Sequence, residues 1–254
     1  MMRAIDHVFD PDAGGIVLVD KPLDWTSHDV VKKVRGAMRS VVRHRNFKVG
    51  HAGTLDPLAS GLLILAYGPL TKQLPYITAE QKIYTGTITL GSVTPSFDLE
   101  TEPQPSGDWD HLTEDRIREA FHEFTGEVLQ RPPLYSAKRH EGERGYFLAR
   151  VGSQIEMPAV KIQIDRLEVI EIRGAEIDFE VNVSKGTYIR ALANDIGRSL
   201  GCGAHLSVLR RTSIGKYHVD QAHHPLAWSE HIAPQDIDPI VQIQGGHPRN
   251  DPGH

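Results

Sequence analysis

The chain has 254 residues, of which 39% are hydrophobic and 24% charged, a composition typical of a globular protein that excludes a fibre and a wholly disordered chain. The formal net charge of −5 argues against a surface that binds nucleic acid nonspecifically on all sides. No apolar run approaches the roughly 20 residues that cross a bilayer, the first twelve residues do not resemble a secretory signal, and the single cysteine, Cys202, cannot form an internal disulfide. We therefore expect a cytoplasmic protein without a membrane span.

The first part of the chain is predicted to place short strands and helices around one irregular loop. A strand is expected at residues 16–19, and a helix at 28–39, where apolar residues recur at helical spacing after Thr26 and Ser27. Residues 50–57, GHAGTLDP, are expected to be irregular because two glycines and a proline interrupt them. The next predicted elements are a strand at 62–67, a short helix at 71–79 and a strand at 83–90.

The second part continues the mixture of helices and strands. An amphipathic helix is expected at 114–124, and an extended loop at 130–142 around a Pro-Pro pair. The remaining predicted elements are a short helix at 146–150, strands at 160–172 and 177–183, a helix at 188–200 and a strand at 205–212. Because strands and helices do not alternate as regular βαβ units, the pattern favours an α+β fold.

Basic residues are concentrated in one stretch. Between Val30 and Leu55 there is no acidic residue, but there are seven basic ones: Lys32, Lys33, Arg35, Arg39, Arg43, Arg45 and Lys48. A solvated helix face is the commoner meaning of such a run. Beside the 50–57 loop, however, it favours contact with the phosphates of a polyanionic substrate.

Asp56 is the main candidate for chemistry, because a carboxylate between Leu55 and Pro57 has little backbone freedom and can be aimed at a substrate. From this segment alone, a turn aspartate is the commoner explanation. His51 is the only strong metal-ligand candidate nearby, so no metal site is expected. Taken singly, Tyr84 reads as a core residue and Arg190 as a surface cation.

Taken together, these segments resemble the TruB family of tRNA pseudouridine synthases. The resemblance rests on segments in the family's order: DKP at 20–22, GHAGTLDPLASGL at 50–62, KIY at 82–84, SKGTYIR at 184–190 and LRRT at 209–212. It implies a pseudouridine-synthase fold of the α+β class, with a mixed, mainly antiparallel sheet, flanking helices and a central RNA-binding cleft. It also implies conversion of uridine 55 to pseudouridine in the T loop of tRNA, without cofactor, metal, guide RNA or protein partner.

The resemblance also implies roles for individual residues. Asp56 is the catalytic carboxylate, which attacks the sugar or the uracil ring or assists glycal formation, and Arg190 orients it and lowers its pKa. Tyr84 stacks on the target base, which must be flipped out of the loop. Four further residues are implied to bind the substrate: His51 in the space that the base vacates, Lys72 at a phosphate, and Tyr188 and Leu209 in the pocket.

The sequence departs from the family pattern at several positions. Asp24 replaces a usual glycine, residues 94–98 replace a more acidic segment that ends in glycine, and Arg139 stands where lysine is usual. The expected organisation is an N-terminal extension at 1–14, a catalytic domain at 15–219 and a short, partly disordered tail at 220–254 without a PUA domain. Two alternatives stay open: a guide-dependent enzyme that modifies ribosomal RNA, and a catalytically silent RNA-binding or RNA-folding module.

Overall fold

The computed structural model describes residues 10–41, 47–133, 139–140, 143–144 and 157–231. Its strands are β1 (Gly15–Lys21), β2 (Val49–Ala52), β3 (Ala59–Tyr67), β4 (Lys82–Leu90), β5 (Ser92–Val93), β6 (Gln104–Pro105), β7 (Gly126–Gln130), β8 (Arg139–His140), β9 (Glu143–Arg144), β10 (Val160–Arg173), β11 (Glu176–Val183), β12 (Ala204–Ile214) and β13 (Tyr217–His218). Its α-helices are α1 (Ser27–Val41), α2 (Leu74–Ala79), α3 (Glu114–Glu123), α4 (Ile189–Ser199) and α5 (Pro225–His231), with 3-10 turns at Gly68–Gln73 and Val219–Gln221. Within these ranges no helix is long and apolar enough to span a membrane.

Nine of the described strands form one sheet in the order β1-β3-β12-β4-β11-β10-β7, with β2 beside β3 and β13 beside β12. Every pairing is antiparallel except that of β3 with β12. Helices α3 and α4 pack on this sheet, with Phe121 and Leu192 buried against residues such as Phe179 of β11. This arrangement confirms the predicted α+β class and the mixed, mainly antiparallel sheet with flanking helices.

Strand β3 is buried on both faces, which explains its nearly continuous apolar sequence. Leu63 and Leu65 share one cluster with α1 and with Trp228 of α5. Leu62 and Ile64 point to the opposite face and pack near Ile77 of α2. Since Trp228 is only 1% exposed, helix α5 belongs to the packed structure although it was not predicted. Its first residue, Pro225, suits a helix start because the amide hydrogen that proline lacks has no partner there.

Some predicted boundaries were wrong. Residues 50–52, expected to be irregular, belong to β2, which pairs with β3, so the irregular backbone starts at Gly53. The absence of a side chain at Gly50 makes room for Leu74, since a Cβ there would lie 2.7 Å from its Cδ1. Strand β7 was missed because it follows α3 after only two residues. The predicted helix at 146–150 and most of the predicted loop at 130–142 lie outside the described residues.

One edge of β3 is shared by two strands, and this sharing positions the irregular loop. Strand β12 pairs with residues 59–61 of β3, and β2 pairs with residues 64–67. The close approach requires Gly61, whose φ is +102°, because a Cβ there would lie 2.2 Å from the carbonyl oxygen of Arg211. The loop at residues 53–58 therefore leaves β2 directly beside β12.

Candidate active site

The loop that carries Asp56 is fixed by hydrogen bonds on both sides of that residue. The Ser27 hydroxyl, at the start of α1, donates to the Leu55 carbonyl at 3.0 Å and accepts from the Leu55 amide at 2.9 Å. The Pro57 carbonyl accepts from the Asp24 amide at 3.0 Å and from Lys21 Nζ at 3.2 Å. Helix α1 and the segment after β1 thus hold the backbone of Asp56 in place.

Arg190 meets Asp56 from the first turn of α4. Its Nε lies 3.2 Å from Oδ2 of Asp56, and its side chain is 4% exposed. Its Nη1 donates to the Ser96 carbonyl at 3.3 Å and lies 3.8 Å from Oδ2 of Asp98. Asp56 and Arg190, 134 positions apart in sequence, thus meet with Asp98 in one ion-pair network.

A pocket of about 500 Å³ opens in front of this ion pair. Five of the predicted site residues line it: Asp56, Tyr84, Tyr188, Arg190 and Leu209. Tyr84 is buried on β4 with the Arg211 guanidinium 6.0 Å from its ring centroid, and the Arg190 guanidinium lies 6.0 Å from the ring of Tyr188. The pocket thus combines a carboxylate, cations and aromatic rings, the chemistry that suits a nucleobase with its sugar and phosphate.

Burial raises the pKa of Asp56 above its ordinary value. Arg190 and, more weakly, Lys21 oppose this shift, and Asp98 adds to it. The net direction is therefore opposite to the lowering expected from Arg190, because the loss of water outweighs the guanidinium. The carboxylate still has access to the pocket, since the Asp56 side chain is 42% exposed. A carboxylate with a raised pKa that faces an open pocket is a more basic and more nucleophilic group than an ordinary aspartate.

Two buried cations at the pocket were not predicted as site residues: Arg211, which lines it, and Lys21, which contacts its loop. Lys21 is fully buried, and its Nζ donates to the carbonyls of Pro22, Trp25 and Pro57 at 2.9, 2.6 and 3.2 Å. Burial lowers the pKa of Lys21 to about 8. Arg211, 1% exposed, donates to the carbonyls of Leu62 at 2.7 Å and Gly53 at 3.0 Å. Together they tie the backbone before and after Asp56 to β1 and β12.

Asp98 is a third site residue that the sequence did not reveal. It follows Phe97, which adopts a φ of +65°, a conformation that side chains rarely take. The segment at 94–98 had been recognised only as a departure from the family pattern, and Asp24, the other departure near the pocket, has a φ of +64°. Phe97 and Asp24 thus both adopt a backbone conformation that favours glycine.

The structure does not bring His51 and Lys72 into the pocket lining. His51 lies on β2, where burial, and then the charge of Arg211, lower its pKa. Lys72 is exposed on the 3-10 turn before α2. Their RNA-binding roles stay predictions. In the part of the chain that is described, no three His, Cys, Asp or Glu residues converge as metal ligands.

The chain matches models of one protein family along most of its length. Residues 39–189 match the TruB family pseudouridylate synthase N-terminal domain, and residues 190–234 match the tRNA pseudouridylate synthase B C-terminal domain. A protein of Flavobacterium johnsoniae named tRNA pseudouridine synthase B is 46% identical over 210 residues, covering 82% of this chain and 92% of the relative. One of the same name from Parabacteroides distasonis is 42% identical over 230 residues, covering 91% and 94%.

Solved structures agree with this assignment. A chain in a crystal structure of a Cbf5-Nop10-Gar1 complex is 33% identical, with a TM-score of 0.61, and the match covers 82% of this chain. This chain spans about half the length of that protein, 51%. The family models and the extended identity to the bacterial relatives lead to one conclusion: the chain belongs to the TruB family of pseudouridylate synthases.

Proposed function

We propose that the chain converts uridine 55 of the tRNA T loop to pseudouridine, in the cytoplasm and without guide RNA or a protein partner. The observation that carries the proposal is the contact between Asp56 and Arg190, 3.2 Å apart in a pocket that Tyr84 also lines. Family membership and the names of the bacterial relatives support the same reaction and a tRNA substrate.

The reaction breaks the bond from ribose C1′ to N1 of uracil and joins C1′ to C5 of the turned base. The proton that leaves C5 balances the proton that N1 gains, so nothing is oxidised or reduced. Asp56 acts in its ionised form, either by covalent attack or by assisting glycal formation. Arg190 holds the carboxylate charged and oriented, and Tyr84 packs on the extruded base. The pocket volume is in the range that encloses a small ligand.

Two rivals are less well supported. The likeness to the Cbf5 chain, which assembles with Nop10 and Gar1, favours an enzyme that acts within a larger complex. The match covers only half of that chain, however, whereas the bacterial relatives named for tRNA are covered almost fully and are more identical. A silent RNA-binding module would not need a buried arginine that aims a carboxylate into an open pocket. The tRNA enzyme therefore fits the combined observations best.

The proposal is tested by incubating the purified protein with an unmodified tRNA transcript, without guide RNA, and mapping pseudouridine. We expect product at position 55 only, and none from a matched transcript with cytidine at that position. Asp56→Asn is expected to reduce turnover by more than about 10⁴-fold, as for removal of a group that acts covalently, while RNA binding survives. Product elsewhere, or an active Asp56→Asn protein, would contradict the proposal.

A further inference from the structure

A second groove, of about 420 Å³, lies next to the active-site pocket. Its lining residues are Trp25, Asp29, Lys32, Lys33, Gly36 and Ala37. The turn at residues 22–26 contributes to both cavities, because Leu23 and Asp24 line the pocket and the next residue, Trp25, lines the groove. The groove and the pocket that holds Asp56 are therefore joined by the turn at residues 22–26.

The groove offers cations, an aromatic ring and open space. Lys32 is exposed and Lys33 half-buried on α1, and Trp25 packs inward against the cluster beneath α1 while its side chain is only partly covered. A Cβ built on Gly36 would meet nothing within 4 Å, so the helix face is open there. The one carboxylate in the lining, Asp29, accepts a hydrogen bond from the Thr26 amide at 3.0 Å and belongs to the helix cap.

The groove is also fixed relative to the catalytic loop. Lys21 Nζ donates both to the Trp25 carbonyl at 2.6 Å and to the Pro57 carbonyl at 3.2 Å. The Ser27 hydroxyl joins the start of α1 to both main-chain groups of Leu55. A ligand that spans the pocket and the groove would thus meet a preorganised surface.

We propose that this groove binds a nucleotide of the substrate RNA that flanks the target uridine, with its base against the indole of Trp25 and its phosphate at Lys32 and Lys33. An RNA strand whose target base enters the pocket continues beyond it, and aromatic stacking with phosphate neutralisation is how proteins hold unpaired nucleotides. The inference rests on the proposed function and adds a binding site to it. The two lysines suit either RNA or an acidic protein segment, and the partly exposed Trp25 beside them favours RNA, whose bases can pack on an indole.

The first test separates the groove from the general basicity of α1. Binding of an unmodified tRNA transcript is measured as Kd over a range of salt concentrations, in the Asp56→Asn protein so that no turnover occurs. Lys32→Gln with Lys33→Gln is expected to reduce the slope of log Kd against log salt by about 2. The matched control, Arg35→Gln with Arg39→Gln, removes the same charge from the same helix outside the groove lining and is expected to change the slope less. Equal changes for the two pairs, or an unchanged slope for the lysine pair, would overturn the inference.

The second test fills the groove without changing charge. Gly36→Gln is expected to weaken binding by roughly fivefold or more, the loss of about one stacked base, and to leave the salt slope unchanged. Gly36→Ala fits the open space and is expected to bind like the parent. Both residues form helices better than glycine, so folding is not at risk. Binding by Gly36→Gln at the parental affinity would overturn the inference.

Turnover separates the two possible failures. In the protein with Asp56 intact, Gly36→Gln is expected to raise KM for tRNA and leave kcat near the parental value. If the parent makes pseudouridine and the groove variants match it in KM and Kd, only the groove assignment fails. If the parent binds the transcript and makes no pseudouridine, the proposed function fails, and the binding measurements still decide whether the groove contacts RNA.

Discussion

Two arginines, Arg190 on helix α4 and Arg173 at the end of β10, each contact an aspartate at a similar distance. Arg190 lies 3.2 Å from Asp56 and is 4% exposed, whereas Arg173, at the end of β10, donates to Asp178 at 3.1 Å and is 43% exposed. The two aspartates respond in opposite directions. Hydrogen bonds from Arg173 lower the pKa of Asp178, while burial raises the pKa of Asp56 in spite of Arg190. Distance alone therefore does not determine how the pKa of an aspartate responds to an arginine; the surrounding protein does.

The largest expected effect comes from removing each arginine in turn. Arg190→Met should reduce turnover by about 10²–10³-fold, since Asp56 loses its oriented charge partner. It should also lower the unfolding free energy by about 3 kcal/mol, because Asp98 stays buried without that cation. Arg173→Met, the matched control, should leave turnover and unfolding close to the parent. Pseudouridine assays and denaturant unfolding measure both; similar losses for the two variants would contradict the comparison.

The second prediction extends the comparison to lysines. Lys21→Met should lower the unfolding free energy by about 2–3 kcal/mol, because three partly buried carbonyls lose their charged donor. Turnover should fall as well, because Lys21 holds the carbonyl of Pro57, the residue that directly follows Asp56. Lys161→Met removes a lysine that is 70% exposed in its pair with Glu127, and should change little. Thermal and denaturant melts of the two variants provide the test, and a stable Lys21→Met protein would argue against this role.

The third prediction concerns pH. Protonated Asp56 cannot act, so kcat/KM should fall as pH falls through a pKa above that of an ordinary aspartate. Arg190 lowers the pKa of Asp56, so removing it should raise that pKa further. In Arg190→Met, the acid limb of the kcat/KM profile, measured on the activity that remains, should therefore move to higher pH. Arg173→Met should leave the profile in place. A pH series of single-turnover rates measures the limb, and a limb at or below the ordinary aspartate range would refute the predicted direction.

The smallest effect is expected at the rim of the pocket. Asp24 has a φ of +64°, so Asp24→Gly relieves backbone strain but adds freedom to the unfolded chain. These effects nearly cancel, and the unfolding free energy should rise by at most about 0.5 kcal/mol. Asp110 is exposed and has no positive φ, so Asp110→Gly relieves no backbone strain and should lower the unfolding free energy. Melting temperatures of the two variants decide the sign.

Much of the fold was readable because its signals are local. Helix α1 follows from apolar residues at helical spacing, and strand β4 from alternation at period two. Strand β2 was misread because Gly50 reads as a loop signal, whereas in the fold it makes room for Leu74. Helix α5 was missed because the prolines of its segment suggested an irregular chain, although Pro225 begins a helix.

The site was only partly readable, for a related physical reason. Asp56, Tyr84 and Arg190 were identified because they lie in motifs that resemble a family. Asp98 has no local pattern that marks it, and the LRRT segment that contains Arg211 does not reveal its role. The importance of both residues comes from burial and from contacts across strands and loops that are distant in sequence. Side chains that act through tertiary neighbours need the fold before they can be recognised.

The packing of helix α5 has a practical consequence for anyone who shortens this protein. Trp228 is enclosed between α1 and the first sheet strands, and His223 exchanges main-chain hydrogen bonds with Leu18 and Asp20. Ending the chain at residue 219 would remove the residues that cover one side of α1, the helix that supports the loop at 53–58 and the groove beside Trp25. A trimmed version for crystallisation should therefore retain everything up to His231.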